Sequence, residues 1–245
     1  MIFQSVAEYY EILSDNASRL QREQKLLMRL LAEAPGTRVA DVACGTGLHA
    51  DFFASLGAEV NGFDISPEMV DVARGTRKTS NVTFQVGDMR TLSGGLWDLI
   101  LCIGNSLSLL GSLDEIRETF VHVHSCLSPG GLFAIQILNT QSEQASKPRH
   151  RVEHKALDDG SIVAVKNLIP HEGGTLLSLT FFHLQGDRMS SVSETARLLH
   201  LTLEQISQIA EQSGLKVTNV YGGLDGSPYD PSTSGDLVVV MRGDS

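Results

Sequence analysis

The sequence predicts an α/β fold in which a parallel sheet carries helices on both faces and an antiparallel insertion follows the fifth strand. Three observations support this prediction. Short apolar segments alternate with helical segments between residues 38 and 138. A glycine-containing turn joins the first apolar segment to the helix after it. Beyond residue 150, hydrophobicity alternates with a period of two. Alternating strand and helix signals are typical of parallel sheets, and period-two segments are typical of antiparallel hairpins.

The predicted strands of the parallel sheet are short and apolar. They cover residues 38–42, 59–63, 82–86, 99–103 and 132–138. Ligands bind such sheets outside the carboxyl ends of the strands, near the point where the strand order reverses. We therefore expect the functional residues in the turns that follow these strands.

Capping residues mark the predicted helices. The first helix is predicted over residues 8–34, where leucines fall broadly on one side and a proline–glycine pair ends the pattern. Ser66 is predicted to cap a later helix, with Pro67 in its first position. Ser112 and Glu115 are predicted to form a capping box for a helix that ends near residue 127.

The antiparallel insertion is predicted over residues 151–199. It contains period-two segments such as 152–157, 161–168 and 175–184, which are separated by turn residues. After the insertion, Thr202 and Gln205 are predicted to form the capping box of another helix. Two closing strands are predicted over residues 215–221 and 237–241.

Composition excludes several classes of partner. The chain has 245 residues, of which 42% are hydrophobic, and its net charge is -10. We expect no nucleic-acid partner, because phosphate contacts require a basic surface. We expect no membrane partner, because no apolar run approaches the length of about 20 residues that a membrane span needs. The basic run at 147–151 is either a solvated loop or an anchor for an anionic substrate group.

Cysteine and histidine usage points to a cytoplasmic protein without a metal site. The chain has three cysteines, Cys44, Cys102 and Cys126, and none forms a CxxC pair. Unpaired cysteines in apolar segments are typical of reducing compartments. The amino-terminal residues lack the basic start and apolar stretch of a signal peptide. The eight histidines show no metal-binding spacing.

The turn after the first strand is predicted to bind a nucleotide-like cofactor. Gly45 and Gly47 remove side chains where the backbone must turn sharply before a helix at 47–55 and approach a ligand. Asp41 lies at the strand end, where a carboxylate can orient the loop or contact an ammonium group. Asp64 ends the second strand, where an acid can accept hydrogen bonds from both ribose hydroxyls.

A glycine turn of this kind does not by itself identify the cofactor. Gly45-x-Gly47-x-x-Ala50 also fits the dinucleotide pattern of NAD-dependent oxidoreductases. Asp41 argues against NAD, because the dinucleotide fold usually continues an apolar strand there. The acidic turn at 87–90 suits the amino group of adenine, and small polar residues at 102–107 can border a substrate pocket. A binding module that keeps the pocket but has no chemistry is the other alternative.

Longer segments resemble the class I S-adenosylmethionine-dependent methyltransferases, most closely the branch of glycine N-methyltransferase and glycine/sarcosine methyltransferase. The matching segments are Asp41-Val-Ala-Cys-Gly-Thr-Gly47, Phe63-Asp64-Ile65-Ser66-Pro67-Glu68-Met69, Gly87-Asp88-Met89 and Ile103-Gly104-Asn105-Ser106. The resemblance implies a Rossmann-like seven-stranded methyltransferase sheet with an antiparallel β insertion after the fifth strand. It implies one methyltransferase domain over residues 1–245, with residues 140–200 as a substrate lid. A homodimer is left open.

The resemblance also implies roles for individual residues toward S-adenosylmethionine. Arg19 matches the arginine that binds the cofactor carboxylate, and either Tyr9 or Tyr10 matches an aromatic residue that contacts the cofactor. Both tyrosines also suit ordinary helix packing. The predicted cofactor-binding residues are Tyr9, Tyr10, Arg19, Asp41, Ala43, Gly45, Gly47, Asp64, Ile65, Asp88, Met89 and Ile103.

The methyl acceptor is predicted to be a small molecule that is methylated on nitrogen, or less readily on oxygen. Asn105 and Asn139 match family positions that face the methyl group. His183 is either a proton acceptor or an ordinary surface histidine. Tyr221 and Tyr229 flank a glycine-containing loop that either faces the substrate or merely connects strands. Leu138 stands where the glycine enzymes carry a carboxylate-binding arginine, so free glycine is not expected as a substrate.

Overall fold

The apolar strands predicted from the sequence form the central sheet of the computed structural model, which describes residues 7–13, 16–92 and 94–243. The amino-terminal residues used for the signal-peptide prediction mostly lie outside these ranges, as do residues 14 and 15 of the predicted first helix. Helices occur at α1 (Ala7–Leu13), α2 (Asn16–Glu33), α3 (Leu48–Ser55), α4 (Pro67–Thr76), α5 (Leu113–Ser125) and α6 (Leu203–Gln212). Short 3₁₀ helices cover Met89–Thr91 and Ser106–Leu109.

The strands form two separate sheets. The strands are β1 (Arg38–Val42), β2 (Glu59–Asp64), β3 (Val82–Val86), β4 (Trp97–Cys102), β5 (Leu127–Leu138), β6 (Arg149–Leu157), β7 (Gly160–His171), β8 (Gly174–Gln185), β9 (Arg188–Leu199), β10 (Leu215–Tyr221) and β11 (Asp236–Gly243). The seven-stranded sheet has the order β10-β11-β5-β4-β1-β2-β3, and the four-stranded sheet has the order β6-β7-β8-β9. This confirms the predicted sheet and its antiparallel insertion.

Strand direction places the crevice of the large sheet. Strands β1 to β5 run parallel to one another, and β11 lies antiparallel between β5 and β10. The chain passes from β1 to β2 on one side and returns to β4 on the other, so the order reverses between β1 and β4. In sheets of this type, the carboxyl ends of the strands at that point border the ligand crevice.

Each face of the large sheet is covered by its own apolar cluster. Phe120 of α5 packs edge-to-face on Phe133 of β5, and Ile206 of α6 belongs to the same cluster. On the other face, Leu27 of α2 and Phe53 of α3 are fully buried against the sheet. Burying one such side chain stabilises the fold by about 1.5–3 kcal/mol, so these helices are fixed on both sides of the crevice.

The four-stranded sheet packs on the amino-terminal helix rather than on the centre of the large sheet. Its apolar inner residues are Ile162, Ala164, Leu177, Leu179, Phe181 and Leu198. They contact Tyr9, Tyr10, Ile12 and Leu13 of α1, together with Leu109. The insertion therefore reaches back over the carboxyl edge of the large sheet through α1 and the turn after β4.

Several boundaries differ from the predictions for local physical reasons. Thr202 and Gln205 form the predicted capping box. Ser112 caps α5 by accepting from the Glu115 backbone N–H, but the Glu115 carboxylate accepts from the N–H of Gly111 instead of closing the box. Strand β5 begins at Leu127 because this residue already pairs with Trp97 of β4, and the register is irregular between that pair and the pair of Leu99 with Leu132. In the described ranges, we find no helix with the length and apolarity of a membrane span.

Candidate active site

A cavity of about 710 Å³ lies at the carboxyl ends of the parallel strands, where the strand order reverses. Ligand pockets typically have volumes of about 300–1,000 Å³. The predicted cofactor residues that line it are Tyr10, Arg19, Asp41, Ala43, Gly45, Asp64, Ile65, Asp88, Met89 and Ile103. Tyr9 and Gly47 are not part of its lining. The topology thus brings most of the predicted cofactor residues to one enclosed space.

The turn between β1 and α3 has the backbone geometry that its glycines allow. Gly45 and Gly47 have φ angles of 55° and 80°, and Ala43 has a φ of 57° although it carries a side chain. A Cβ on Gly45 would meet no atom within 4 Å, whereas a Cβ on Gly47 would lie 2.6 Å from the ring of Phe84. Gly45 therefore leaves space at the cavity wall, and Gly47 allows the helix to pack on β3.

Asp64 links the second strand to this turn. Its Oδ2 accepts from the backbone N–H of Gly45 at 2.8 Å, and its Oδ1 accepts from the N–H of Ser66 at 2.9 Å. The residue is 9% exposed, and burial raises the pKa of its carboxyl group despite these bonds. Each carboxylate oxygen has a second lone pair, so Asp64 can also accept from the two hydroxyls of a ribose.

Asp88, which is charged, and Ile65, which is apolar, also line the cavity. Asp88 accepts from the guanidinium of Arg90, with a shortest distance of 2.6 Å, and this hydrogen bond lowers the pKa of Asp88. Ile65 is 44% exposed although it is apolar, and it lines the cavity together with Met89. An exposed isoleucine beside a methionine can pack on the face of a flat aromatic ring, and adenine is such a ring.

Asp41 lines the cavity near the carboxyl end of β1. Its side chain is 1% exposed, and its Oδ2 has no hydrogen-bond partner in the described part of the chain. Burial, above all, raises the pKa of Asp41 to about 6. A buried carboxylate oxygen without a partner is costly, and an ammonium group of a ligand would supply that partner.

Arg19 is held beside Asp41 by a buried chain of polar groups. The Nε of Arg19 donates to Oε1 of Glu23 at 3.0 Å, and Nε2 of His49 lies 2.7 Å from Oε2 of the same carboxylate. Burial opposes ionisation of Glu23, yet the hydrogen bonds and charges of His49 and Arg19 lower its pKa overall. The guanidinium of Arg19 is thus fixed at the cavity wall, where it can bind a carboxylate.

The first helix closes one side of the cavity. Glu11 accepts from Nη2 of Arg77, at 2.9 and 2.8 Å, and from the hydroxyl of Thr46 in the glycine turn. Nε of Arg77 donates to the backbone oxygen of Thr46 at 2.8 Å. Tyr10 of the same helix lines the cavity. Tyr9 instead packs on the four-stranded sheet, so the two tyrosines have different surroundings.

The predicted substrate residues lie around the cavity and not in its lining. Asn105 has a φ of 69°, and its buried Oδ1 has no hydrogen-bond partner in the described residues. Asn139 is 1% exposed, and its amide donates to the backbone oxygens of Pro231 and Ser234. Tyr229 donates to the Asn139 side chain at 3.3 Å. These contacts tie the end of β5 to the loop before β11.

The other two predicted substrate residues contact helices. His183 lies edge-on to Tyr9, with ring centroids 5.9 Å apart, and its buried Nε2 has no hydrogen-bond partner among the residues described. Tyr221 faces the guanidinium of Arg29, whose Cζ is 6.0 Å from the ring centroid. Both therefore have surroundings other than the cavity.

Several cavity residues were not predicted from the sequence. They include Thr46 and His49 after the first strand and Glu194, Thr195 and Ala196 on β9. Thr46 lies in the predicted glycine turn and His49 in the helix predicted after it, which is a usable signal. The β9 residues reach the cavity only because the insertion folds back over it, and nothing in their local sequence indicates that.

These groups fit S-adenosylmethionine. Arg19 and Asp41 suit the carboxylate and ammonium of its methionine part, and Asp64 suits the ribose. When bound, this cofactor supplies a methyl group on an electrophilic sulfonium. The chain's own residues would bind and orient it, and residues of β9 and α1 line the same cavity. In the described ranges, no group of three or more His, Cys, Asp or Glu residues is placed to hold a metal ion.

Comparisons with known proteins agree with this chemistry. Residues 39–131 match the family model described as a methyltransferase domain. The cypemycin N-terminal methyltransferase of a Streptomyces species is 28% identical over 209 residues, which are 84% of this chain and 84% of that protein. A ubiquinone biosynthesis O-methyltransferase of Xanthomonas campestris is 32% identical over 113 residues, which are 43% of this chain and 44% of that protein.

The fold is shared with a solved structure that contains the cofactor. CalS10, an amino pentose methyltransferase from Micromonospora echinaspora, was solved with S-adenosylmethionine bound, and its TM-score to this chain is 0.74 at 21% identity. The alignment covers 99% of this chain and 98% of CalS10. The family match spans the turn and the acidic strand ends that shape the cavity. It sets aside the NAD-dependent oxidoreductase, and the chain is an S-adenosylmethionine-dependent methyltransferase with a Rossmann-like fold.

Proposed function

We propose that the enzyme transfers the methyl group of S-adenosylmethionine to a nitrogen atom of a small molecule held beneath the four-stranded sheet. The observation that carries this proposal is the position of Glu194. This residue of β9 lines the same cavity as Arg19, Asp41 and Ile103. A carboxylate at a partly enclosed site favours a protonated amine, because the ion pair stabilises the ammonium form until it reacts.

The same residue suits the proton transfer that amine methylation requires. An ammonium group has no lone pair, so it must lose a proton before its nitrogen attacks the methyl group. Glu194 can accept that proton directly or through water. The remaining requirement is to hold the nitrogen in line with the methyl group, and a partly enclosed cavity can meet it by restricting the orientations of the acceptor.

The named activities of similar proteins support nitrogen over oxygen. One relative that aligns over most of this chain is an N-terminal methyltransferase by name. The O-methyltransferase relative aligns over less than half of the chain. The narrower resemblance to the glycine N-methyltransferase branch stays a prediction.

Free glycine is not the proposed acceptor. Leu138 ends β5 where the glycine enzymes carry an arginine, and its partner in the sheet is Asp236 of β11. A leucine beside a carboxylate offers no positive charge to a substrate carboxylate, and an unpaired buried charge is very costly. The lid role of residues 140–200, the cytoplasmic location, the lack of a nucleic-acid partner and the oligomeric state also stay predictions.

A paired acceptor screen tests the proposal. Small amines and the alcohols of the same carbon skeleton are incubated with the enzyme and S-adenosylmethionine, and products are identified by mass. We expect methylation of amines, and we expect Glu194→Gln to lower kcat/KM for an amine about tenfold or more, as for loss of a charged hydrogen bond. Glu204→Gln, on the exposed side of α6, is the matched control.

Two outcomes contradict the proposal. One is turnover of alcohols alone, and the other is an unchanged kcat/KM in Glu194→Gln. Absence of methylation for every acceptor, with intact cofactor binding, supports the non-catalytic binding module instead.

A further inference from the structure

The inner face of the four-stranded sheet carries a row of charges that extends away from Glu194. In the register of the sheet, Arg151 lies opposite Lys166, Lys166 lies opposite Leu179, and Leu179 lies opposite Glu194 on successive antiparallel strands. Directly paired residues project from the same face of a sheet. Leu179 packs in the cluster that includes Leu109, so this face is turned toward the large sheet. Lys166 therefore lies on the same face as Glu194, two strands away, or about 10 Å at ordinary strand spacing.

Arg149 extends this basic end of the face. It belongs to β6, two residues before Arg151, and period-two alternation puts both side chains on the same side. Its Nε is buried and has no hydrogen-bond partner in the part of the chain that the structure describes. A buried guanidinium N–H without an acceptor is costly unless a ligand supplies one.

The neighbouring cations are neutralised, but Lys166 and Arg149 are not. Arg151 is paired with Glu153 at 2.6 Å, and Arg19 is paired with Glu23. Across the described ranges, neither Lys166 nor Arg149 has a carboxylate within ion-pair distance, and Asp236 is a more distant counter-charge for both.

The surroundings of Lys166 disfavour its positive charge. Lys166 is accessible to water on the inner face of the sheet. Partial desolvation by the protein atoms around it, followed by the charges of Arg151 and Arg19, lowers its pKa. An anion bound at Lys166 would relieve the repulsion among these cations.

We infer that the methyl acceptor carries an anionic group, a phosphate or a carboxylate, that Lys166 and Arg149 bind while Glu194 holds the amine. This inference rests on the proposed function. The separation along the sheet requires an acceptor whose amine and anion are several bonds apart. A free α-amino acid, in which one carbon atom separates the two groups, does not span it. The recognised class is therefore an extended amine with a remote phosphate or carboxylate.

Anion binding can be measured without knowing the acceptor. The full chain is saturated with S-adenosylhomocysteine and titrated by calorimetry with inorganic pyrophosphate and, separately, with succinate. We expect saturable binding of at least one of them, and a loss of about tenfold or more in affinity in Lys166→Gln and in Arg149→Gln. The matched controls are Lys216→Gln and Arg188→Gln, which remove exposed charges away from Lys166 and Arg149. Both controls should keep the wild-type affinity.

The outcomes distinguish a phosphate from a carboxylate. They also distinguish failure of the anionic subsite from failure of the proposed function. Preference for pyrophosphate indicates a phosphate group, and preference for succinate indicates a carboxylate. The inference is overturned if neither anion binds, or if the controls weaken binding as much as the two test variants do. If simple amines are methylated but neither anion binds, the proposed function stands and the anionic subsite does not. Unchanged S-adenosylhomocysteine affinity in each variant shows that the fold and the cofactor cavity are intact.

Discussion

Replacing Asp64 with alanine is expected to weaken cofactor binding strongly and to lower the stability of the fold moderately. Two ribose hydrogen bonds to a charged acceptor are worth about 1.5–3 kcal/mol each. Their loss corresponds to a decrease in affinity of about 150-fold or more. The change also removes the acceptors of the Gly45 and Ser66 N–H groups. An unsatisfied backbone donor costs about 1–3 kcal/mol.

Two such donors together cost about 2–6 kcal/mol, and the expected loss of stability lies near the lower end of that range. Burial raises the pKa of Asp64, so the ionised side chain itself opposes folding at neutral pH. Removing it offsets part of the penalty for the two N–H groups. We therefore expect Asp64→Ala to lower the free energy of unfolding by about 2 kcal/mol.

Two measurements test these magnitudes. Calorimetry with S-adenosylhomocysteine gives the affinity, and urea unfolding gives the stability. Asp71→Ala, on α4 with a side chain that is 75% exposed, is the control and should change neither quantity. A folded Asp64→Ala protein with wild-type affinity would refute the assignment of Asp64 to the ribose.

Four further outcomes are expected. Arg19→Gln should weaken S-adenosylmethionine and S-adenosylhomocysteine equally, by about tenfold or more, because both carry the same carboxylate; calorimetry with each ligand checks this, and a loss for only one contradicts it. Asp41 has a folded-state pKa of about 6, above its ordinary 3.8, so the stability that it contributes is complete below pH about 4 and is lost as pH rises through about 6. Urea unfolding of cofactor-free Asp41→Asn should then show a gain over wild type of about 2–3 kcal/mol at pH 8 that disappears toward pH 4; a difference independent of pH refutes it. Gly45→Ala should weaken the cofactor and lower the free energy of unfolding by about 1–2 kcal/mol, whereas Gly47→Ala should lower it further, because both positions have positive φ but only the second Cβ collides with a ring; the reverse order of stability loss would be inconsistent with the geometry. Glycine and sarcosine should give no methylated product by mass at saturating cofactor, since Leu138 provides no charge; efficient turnover of either would show that another residue binds the carboxylate.

The parallel sheet was predictable because its strands are buried and local in sequence. β1 and β3 have the predicted bounds, since each apolar segment ends at a turn that the sequence marks. The beginning of β5 was not predicted, because residues 128–131 have the composition of a turn although they lie within the strand, between Leu127, which pairs with Trp97 of β4, and Leu132, which pairs with Leu99. Local composition favours a turn there, and pairing with the neighbouring strand overrides it.

The residues at the strand ends and those that depend on the insertion or on distant loops also differ in how far the sequence predicts their positions. Asp41, Gly45 and Asp64 follow parallel strands, so their position at the crevice follows from the order of strands and helices alone. Glu194 reaches the cavity through the packing of the insertion on α1. Asn139 was predicted to face the methyl group, and its placement instead depends on a loop more than 90 positions later in the chain. Such long-range partners leave no local pattern.

The ion pair between Glu11 and Arg77 holds the first helix beside the cavity. The two side chains are 17% and 12% exposed, so their ion pair is shielded from water and holds α1 against the glycine turn through Thr46. α1 contributes Tyr10 to the cavity wall and is held in place by side chains rather than by strand pairing. We expect the lifetime of the bound product to be coupled to the rate at which α1 undocks. Turnover would then depend on an ion pair whose two residues lie outside the cavity lining.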